Sequence, residues 1–292
     1  MNAPVRVSVV VPARNEAEGL AAVLEGVRRA LGDVPHEVLV VDDGSTDATG
    51  EVAARAGARV LRHPLPMGNG AAVKAGLREA RGEVVALLDG DGQHDPADLP
   101  RLLAGLEEGW AMVVGARVSG QAGLHRAAAN AVYNALASYV SGTRIPDLTS
   151  GFRVVRRDVA RRFVYMLPNT FSYPSTLTLA LLRTGRPVRF VDIRARPGTG
   201  RSNMRILRDG TRFLWIILRV ATSFAPMRVF LPASVLCVLA GAAVYAWYWA
   251  SGGGPRLTGG IQLALVLGAI LFALGLLAEQ LASLRFDRTE EE

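Results

Sequence analysis

The stretch Val84-Val85-Ala86-Leu87-Leu88-Asp89-Gly90-Asp91-Gly92-Gln93-His94-Asp95-Pro96 decides how the rest of the chain is read. Five apolar residues in a row, bounded by turn residues, have the composition of a strand buried on both faces of a parallel sheet. Such a strand delivers whatever follows it to the carboxyl edge of the sheet, where open α/β folds bind their ligands. Here Asp89 and Asp91 follow, one residue apart, with the amide of Gln93 next in the series. Oxygen donors in that place suit a divalent cation holding a diphosphate. Asp and Gly also close ordinary turns, so the triplet gains its weight from its neighbours.

Outward from this segment, short apolar runs alternate with helical patterns. Residues Val7 to Val11, Val38 to Val41, Arg59 to Leu61, Val84 to Leu88 and Met112 to Val114 read as strands. Glu18 to Leu31, Thr46 to Ala56, Gly70 to Ala80 and Ala97 to Glu107 read as helices. The alternation predicts an α/β domain with a doubly wound, mostly parallel sheet.

Composition narrows the partners. The chain has 292 residues and a net charge of +7, and of its 33 basic residues only Lys74 is lysine. Arginine-rich surfaces suit phosphates, but aromatic residues do not interleave these arginines as they do on a nucleic-acid platform. A lipid bilayer is the expected partner, and nucleic acid is not. A single cysteine, Cys237, excludes an intrachain disulfide, and the 4 histidines have no zinc-ligand spacing. The amino terminus runs straight into a strand without a signal-peptide pattern, which predicts a cytoplasmic first domain.

The apolar residues concentrate near the end. Val229 to Ala250 and Ile261 to Ala278 carry no charge, and a helix needs ~20 apolar residues to cross a bilayer. They read as a transmembrane hairpin, within boundaries of 228–284, joined by the breaker-rich Ser251 to Gly260. Arg205, Arg208, Arg212, Arg219 and Arg228 precede it, and Arg285 and Arg288 follow. The positive-inside rule then places both termini in the cytoplasm, with Tyr245, Trp247, Tyr248 and Trp249 as an outer aromatic belt. Residues 205–227 read as an amphipathic segment lying among the head groups, and 285–292 as a cytoplasmic tail. Gly241, Ala242 and Ala243 are small enough for close span packing, as in a homo-oligomer.

The strand ends carry the chemistry: Pro12-Ala13-Arg14-Asn15-Glu16, Asp42-Asp43-Gly44-Ser45-Thr46-Asp47, Asp89 to Gln93, and Gly115-Ala116-Arg117. These ordered motifs resemble the family 2 glycosyltransferases of the GT-A fold, and within them the branch of dolichyl-phosphate mannose synthase and polyprenyl-phosphate glycosyltransferases. The resemblance covers residue 5 to about 205, and the two spans extend it over nearly the whole chain.

The resemblance implies a catalytic domain over 1–204 that binds a nucleotide-sugar donor and a polyprenyl or dolichyl phosphate acceptor. Asp42 and Asp43 would accept hydrogen bonds from base and ribose, with Pro12, Arg14 and Glu16 closing the pocket and Thr46 capping the next helix. Asp47 reads as a helix-start charge. Gly70 and Lys74, in the glycine-rich Gly68 to Gly76, suit either a diphosphate contact or a plain packing helix. Asp89, Asp91 and Gln93 match the family's ligands for Mg²⁺ or Mn²⁺, with Asp91 carrying most weight, and His94 reads as their structural neighbour. Arg117 and Arg126 match arginines assigned to the acceptor phosphate, with ordinary surface arginine as the other reading. Asp147 to Arg153 resembles an acceptor loop. Arg196 to Met204 resembles a mobile segment before the membrane, contributing Arg196, Arg201 and Ser202; Asn203 stands where lysine is usual.

A lipid phosphate is already ionised and needs no general base. An acceptor hydroxyl would need one, and Asp147 is the candidate. The implied reaction is an inverting, metal-dependent hexose transfer, from UDP-glucose or GDP-mannose, at the cytoplasmic membrane face. A non-catalytic membrane scaffold is the reading from another class, opposed by the clustered charges.

Overall fold

The computed structural model describes residues 4–117, 124–170, 172–194, 222–254 and 256–287. Its strands are β1 (Val7–Ala13), β2 (His36–Asp42), β3 (Arg59–Arg62), β4 (Val84–Leu87), β5 (Met112–Arg117), β6 (Arg153–Arg156) and β7 (Val188–Ile193). They form one seven-stranded sheet in the order β3-β2-β1-β4-β6-β5-β7. The helices of this part are α1 (Ala17–Leu31), α2 (Thr49–Arg55), α3 (Asn69–Glu79), α4 (Leu99–Glu107), α5 (Leu124–Ser141), α6 (Arg157–Phe163) and α7 (Tyr173–Arg183). All seven residues of β1 are buried, as its unbroken apolar run requires of a central strand. Leu20, Val23, Leu24, Val27 and Leu31 make the buried stripe of α1. Each such side chain stabilises the packed state by about 1.5–3 kcal/mol.

The five strands read from sequence are all present, and the sheet is mostly parallel. Strands β6 and β7 and helices α5, α6 and α7 were not anticipated. Strand β6 is only Arg153-Val154-Val155-Arg156, too short and too charged at its ends to stand out by periodicity. It runs antiparallel between β4 and β5, pairing Leu87 and Val114 with Arg153. Its direction matters for the site. The start of an antiparallel strand lies where its parallel neighbours end, so Asp147 to Phe152 arrive at the carboxyl rim between the ends of β4 and β5.

Two helix starts move inward for local reasons. Helix α2 begins at Thr49 because Asp47 Oδ1 accepts the Thr49 backbone N–H at 3.0 Å. Thr46, expected as the cap, instead donates to Asn15 Oδ1 at 2.9 Å. Helix α4 is preceded by a 3₁₀ turn over Pro96–Asp98, capped by Asp95, whose Oδ1 accepts from Ala97 N at 3.0 Å.

The chain divides into two compact units, residues 1–139 with 143–203, and residues 140–142 with 204–292. The second contains two apolar helices, Pro226–Tyr248 and Gly259–Asp287. Candidate spans Pro226–Gly253 and Gly259–Leu284, of 28 and 26 residues, fall on them, with mean hydropathies of 2.1 and 2.5, and only 11% and 17% of their most apolar stretches are buried. A core helix of a water-soluble protein would bury that surface. The helices pack on each other through small residues. Gly241 lies against Ala264, Gly268 against Val238 and Ser234, and Gly275 against Phe230 and Met227. Ser234 Oγ donates to Gly268 O at 2.7 Å. Gly241 thus serves contact within the hairpin. At the far end of the second helix, Glu279 Oε2 accepts the Met227 N–H at 3.2 Å, satisfying a donor that the start of a helix leaves without an internal partner.

A candidate active site on the carboxyl rim

The ends of β1, β2, β4 and β5 and the turn before β6 surround a cleft of ≈ 470 Å³. Of the residues expected at a site, Pro12, Arg14, Glu16, Asp43, Asp89, Asp91, Gln93 and Arg117 all line it. Asn69, His94, Thr149 and Gly151 also line it, with Ala13, Gly68, Ala72 and Gly90 between them. A second cleft of ≈ 340 Å³ lies toward the opposite rim, lined largely by aliphatic residues such as Leu31, Val34 and Leu103.

The acidic side is tightly arranged. Asp91 is exposed, and it accepts hydrogen bonds from Gln93 N at 3.0 Å and Gln93 Nε2 at 2.5 Å. The side chain of Asp89 is 26% exposed, hydrogen-bonded by Asn69. Partial burial raises its pKa, and the like charge of Asp91 pushes the same way, while His94, Asn69 and Arg153 oppose the rise. The pKa of Glu16 is raised by burial and by repulsion from Asp91, Asp47 and Asp89. Asp89 and Glu16, both pushed toward the neutral form beside the further carboxylate of Asp91, favour a bound cation. Their oxygens, with the Gln93 amide turned to present Oε1, are the donors that hard Mg²⁺ or Mn²⁺ prefers. Among the described residues no three acidic, histidine or cysteine side chains converge as a ready-made metal centre. The fit therefore rests on Asp89, Asp91 and the amide.

His94 behaves as a structural neighbour. It is 5% exposed, its ring lies 5.5 Å from that of Phe152, and burial lowers its pKa. Among the described residues neither ring nitrogen has a hydrogen-bond partner, and Nδ1 is 3.9 Å from Asp89 Oδ2.

Several donor-side expectations are redirected. Asp42 is fully buried, and its Oδ1 is taken by Ser45 N at 2.8 Å; it builds the turn and does not line the cleft. Asp43 does line the cleft, but its oxygens accept from His63 Nδ1 at 2.8 Å, Met67 N at 2.9 Å and Gly68 N at 2.8 Å. Burial works against its ionisation, yet those hydrogen bonds overcome it and hold the pKa low. Asp43 thus pins the loop from His63 to Gly68 over the rim. Asn15 joins the two loops beside it: its N–H donates to Ser45 Oγ at 3.1 Å. Its φ of 55° is a conformation that asparagine tolerates better than most residues.

Gly70 and Lys74 are also turned away from the cleft. A Cβ on Gly70 would collide with the carbonyl oxygens of Pro168 and, at 2.6 Å, Thr170. Ala71 N donates to Asn169 O at 3.2 Å, and Lys74 Nζ donates to Asn169 Oδ1. Gly70 is therefore packed under the chain's own carbonyls, while Gly68, Asn69 and Ala72 of the same stretch line the cleft. Asn69, next to Gly70, is the one of these that hydrogen-bonds Asp89.

The opposite wall is cationic. Arg117 meets Asp147 in a two-pronged pair, Nε to Oδ2 at 2.7 Å and Nη2 to Oδ1 at 3.0 Å, and Nη2 also donates to Thr149 Oγ1 at 2.6 Å. Burial opposes the charge on Asp147, but Arg117 outweighs it and lowers the carboxylate pKa. The same hydrogen bonds raise that of Arg117. Arg117 Nη1 has no hydrogen bond among the described residues. The side chain of Arg126, and Arg196, Arg201 and Ser202, lie outside the described residues.

Asn69, Thr149 and Gly151 fall within the stretches Gly68 to Gly76 and Asp147 to Arg153 singled out from sequence, but were not named there individually as site residues. Position just after a glycine or just before a short strand marked each of them, but only the register of β6 shows which rim they share.

Residues 8–163 match the family model described as Glycosyl transferase family 2, and residues 225–284 match that described as GtrB C-terminal hairpin. The chain belongs to the family 2 glycosyltransferases. It is 37% identical over 198 residues to an uncharacterized glycosyltransferase of Mycobacterium tuberculosis, a match spanning 66% of this chain and 87% of the relative. It is 30% identical over 184 residues to the undecaprenyl-phosphate 4-deoxy-4-formamido-L-arabinose transferase of Photorhabdus laumondii, spanning 57% of each. Among solved structures it resembles glucosyl-3-phosphoglycerate synthase from Mycobacterium tuberculosis in complex with Mn²⁺, UDP and product. That likeness has a TM-score of 0.60 at 23% identity, over 75% of this chain and 79% of the other, and it bears on the fold.

Proposed function

We propose that this glycosyltransferase moves a hexose from a nucleotide sugar, UDP-glucose or GDP-mannose, to a polyprenyl phosphate at the cytoplasmic face of a membrane. One observation carries the reading: the carboxylate best placed to serve as a base, Asp147, is committed to Arg117 by two hydrogen bonds and is held ionised. A carboxylate stabilised in its charged form is a poor proton acceptor. An acceptor that arrives already ionised needs none. The undecaprenyl-phosphate transferase among the relatives and the match to the hairpin family support the same choice.

In this reading Arg117, aimed by Asp147 and Thr149, receives the acceptor phosphate through Nη1, which has no hydrogen bond among the described residues. A phosphate oxygen attacks the anomeric carbon, the bond from that carbon to the nucleoside diphosphate breaks, and the diphosphate leaves with the electron pair. No proton need move, and an α-linked donor gives a β-linked lipid phosphate sugar. Asp89, Asp91 and Gln93 would hold a divalent cation, which when bound offsets charge on the leaving diphosphate. The two apolar helices would span the bilayer beside the prenyl chain.

Arg117→Ala tests the acceptor assignment. The expected result is a loss of about tenfold or more in kcat/KM for lipid phosphate with donor binding retained. A defect confined to donor binding would reassign the arginine.

A further inference from the structure

Arg153 opens β6 and is fully buried, yet it makes no ion pair among the described residues. Its Nη1 donates to Pro174 O at 2.8 Å and Thr178 Oγ1 at 3.1 Å, both on α7, and its Nη2 donates to the Ser150 carbonyl. Burial lowers its pKa to about 10, so the group stays cationic at neutral pH. Among the described residues its hydrogen bonds go only to neutral acceptors, with the carboxylates of Asp147 and Asp89 supporting the charge from beyond hydrogen-bonding distance; such burial adds little stability over an apolar side chain of similar volume. What it grips is informative. Ser150 sits between Thr149, which binds Arg117, and Gly151, where a Cβ would fall on Oδ2 of Asp89.

We propose that Arg153 is a positioning residue that couples the two halves of the site. It locks the turn from Asp147 to Gly151 from behind, so that one rigid segment both aims Arg117 and seats Asp89. The inference rests on the proposed function for its labels, Asp89 on the donor side and Arg117 on the acceptor side. It adds that the two sides share one mechanical support. Thr149 belongs to the acceptor side of that support and Gly151 to the donor side.

The test uses the full chain in lipid nanodiscs, with two readouts besides thermal unfolding. One is calorimetric affinity for UDP or GDP in the presence of Mn²⁺, and the other is KM for undecaprenyl phosphate. Thr149→Val should raise the acceptor KM and leave nucleotide affinity alone, and Gly151→Ala should do the reverse. Arg153→Lys keeps the charge but loses the fork, and should weaken both by about tenfold, the scale on which supporting residues act. Thr178→Val removes one partner of Arg153 from the far side and should shift both in the same direction by less, which keeps the test open if the lysine variant folds poorly. Lowered unfolding temperatures with both affinities unchanged, or a shift in only one of them, would overturn the coupling. If the unsubstituted protein binds neither nucleotide with Mn²⁺, the functional reading fails instead.

Discussion

Asp147→Asn separates an aiming role from a proton-accepting one. The amide keeps one acceptor oxygen for Arg117 but loses the ionic half of the pair, so the acceptor KM should rise about tenfold with little change in kcat at saturation. A general base would cost about 10²–10⁴-fold in rate, and a loss of that size in a folded variant would favour a hydroxyl acceptor. Asp91→Ala should abolish nucleotide binding that depends on Mn²⁺, as calorimetry would show; unchanged binding would remove Asp91 from the cation site. The pair also makes a pH prediction. The folded-state pKa of Asp147 is lowered, so its stabilisation is present above the unfolded carboxylate pKa of about 3.9 and is lost as pH falls through the folded value. Thermal unfolding of native protein and Asp147→Asn should therefore differ at neutral pH and converge in strong acid. A constant difference would show that the charge of Asp147 contributes nothing. At this scale the sequence was legible in placing Asp89, Asp91 and Arg117 at strand ends on one rim, where they line one cleft. It could not show that Asp42 and Gly70 pack behind the cleft while Asp43 lines it, because a carboxylate or a glycine that builds a turn looks the same in sequence as one that faces a cleft.

Among the elements, those with a clear period were readable: β1 through its unbroken valines, and α1 through its buried stripe at helical spacing. Strand β6 was not, since four residues beginning and ending in arginine carry no pattern. That one omission hid the arrangement of the rim, because β6 alone brings Asp147, Thr149 and Gly151 between the ends of β4 and β5. The hairpin helices were legible by length and apolarity, but their facing was not; it is set by where glycines meet side chains. Gly268→Leu tests that packing. A Cβ there would lie 2.8 Å from Val238 Cγ2 and 3.2 Å from Ser234 O, so the substitution should destabilise the hairpin by about 1–3 kcal/mol through overpacking. Unfolding in detergent would report it, and wild-type stability would mean that the helices do not meet at this face.

For the whole molecule, a family 2 glycosyltransferase domain and a pair of apolar helices occur in one chain. The proposed acceptor explains the combination, because a phosphate on a prenyl chain is a substrate that a membrane-held enzyme can meet at the bilayer surface. Nothing in the sequence separates glucose from mannose or UDP from GDP, since single hydroxyls and base edges are read by side chains brought together from distant loops. The most direct test is transfer of radiolabelled sugar from a panel of UDP- and GDP-hexoses to undecaprenyl phosphate, with and without Mn²⁺ or Mg²⁺. The account predicts a lipid-linked product that forms only with the metal and releases its sugar in mild acid. Labelling only of lipids that offer a hydroxyl, with undecaprenyl phosphate left untouched, would contradict it.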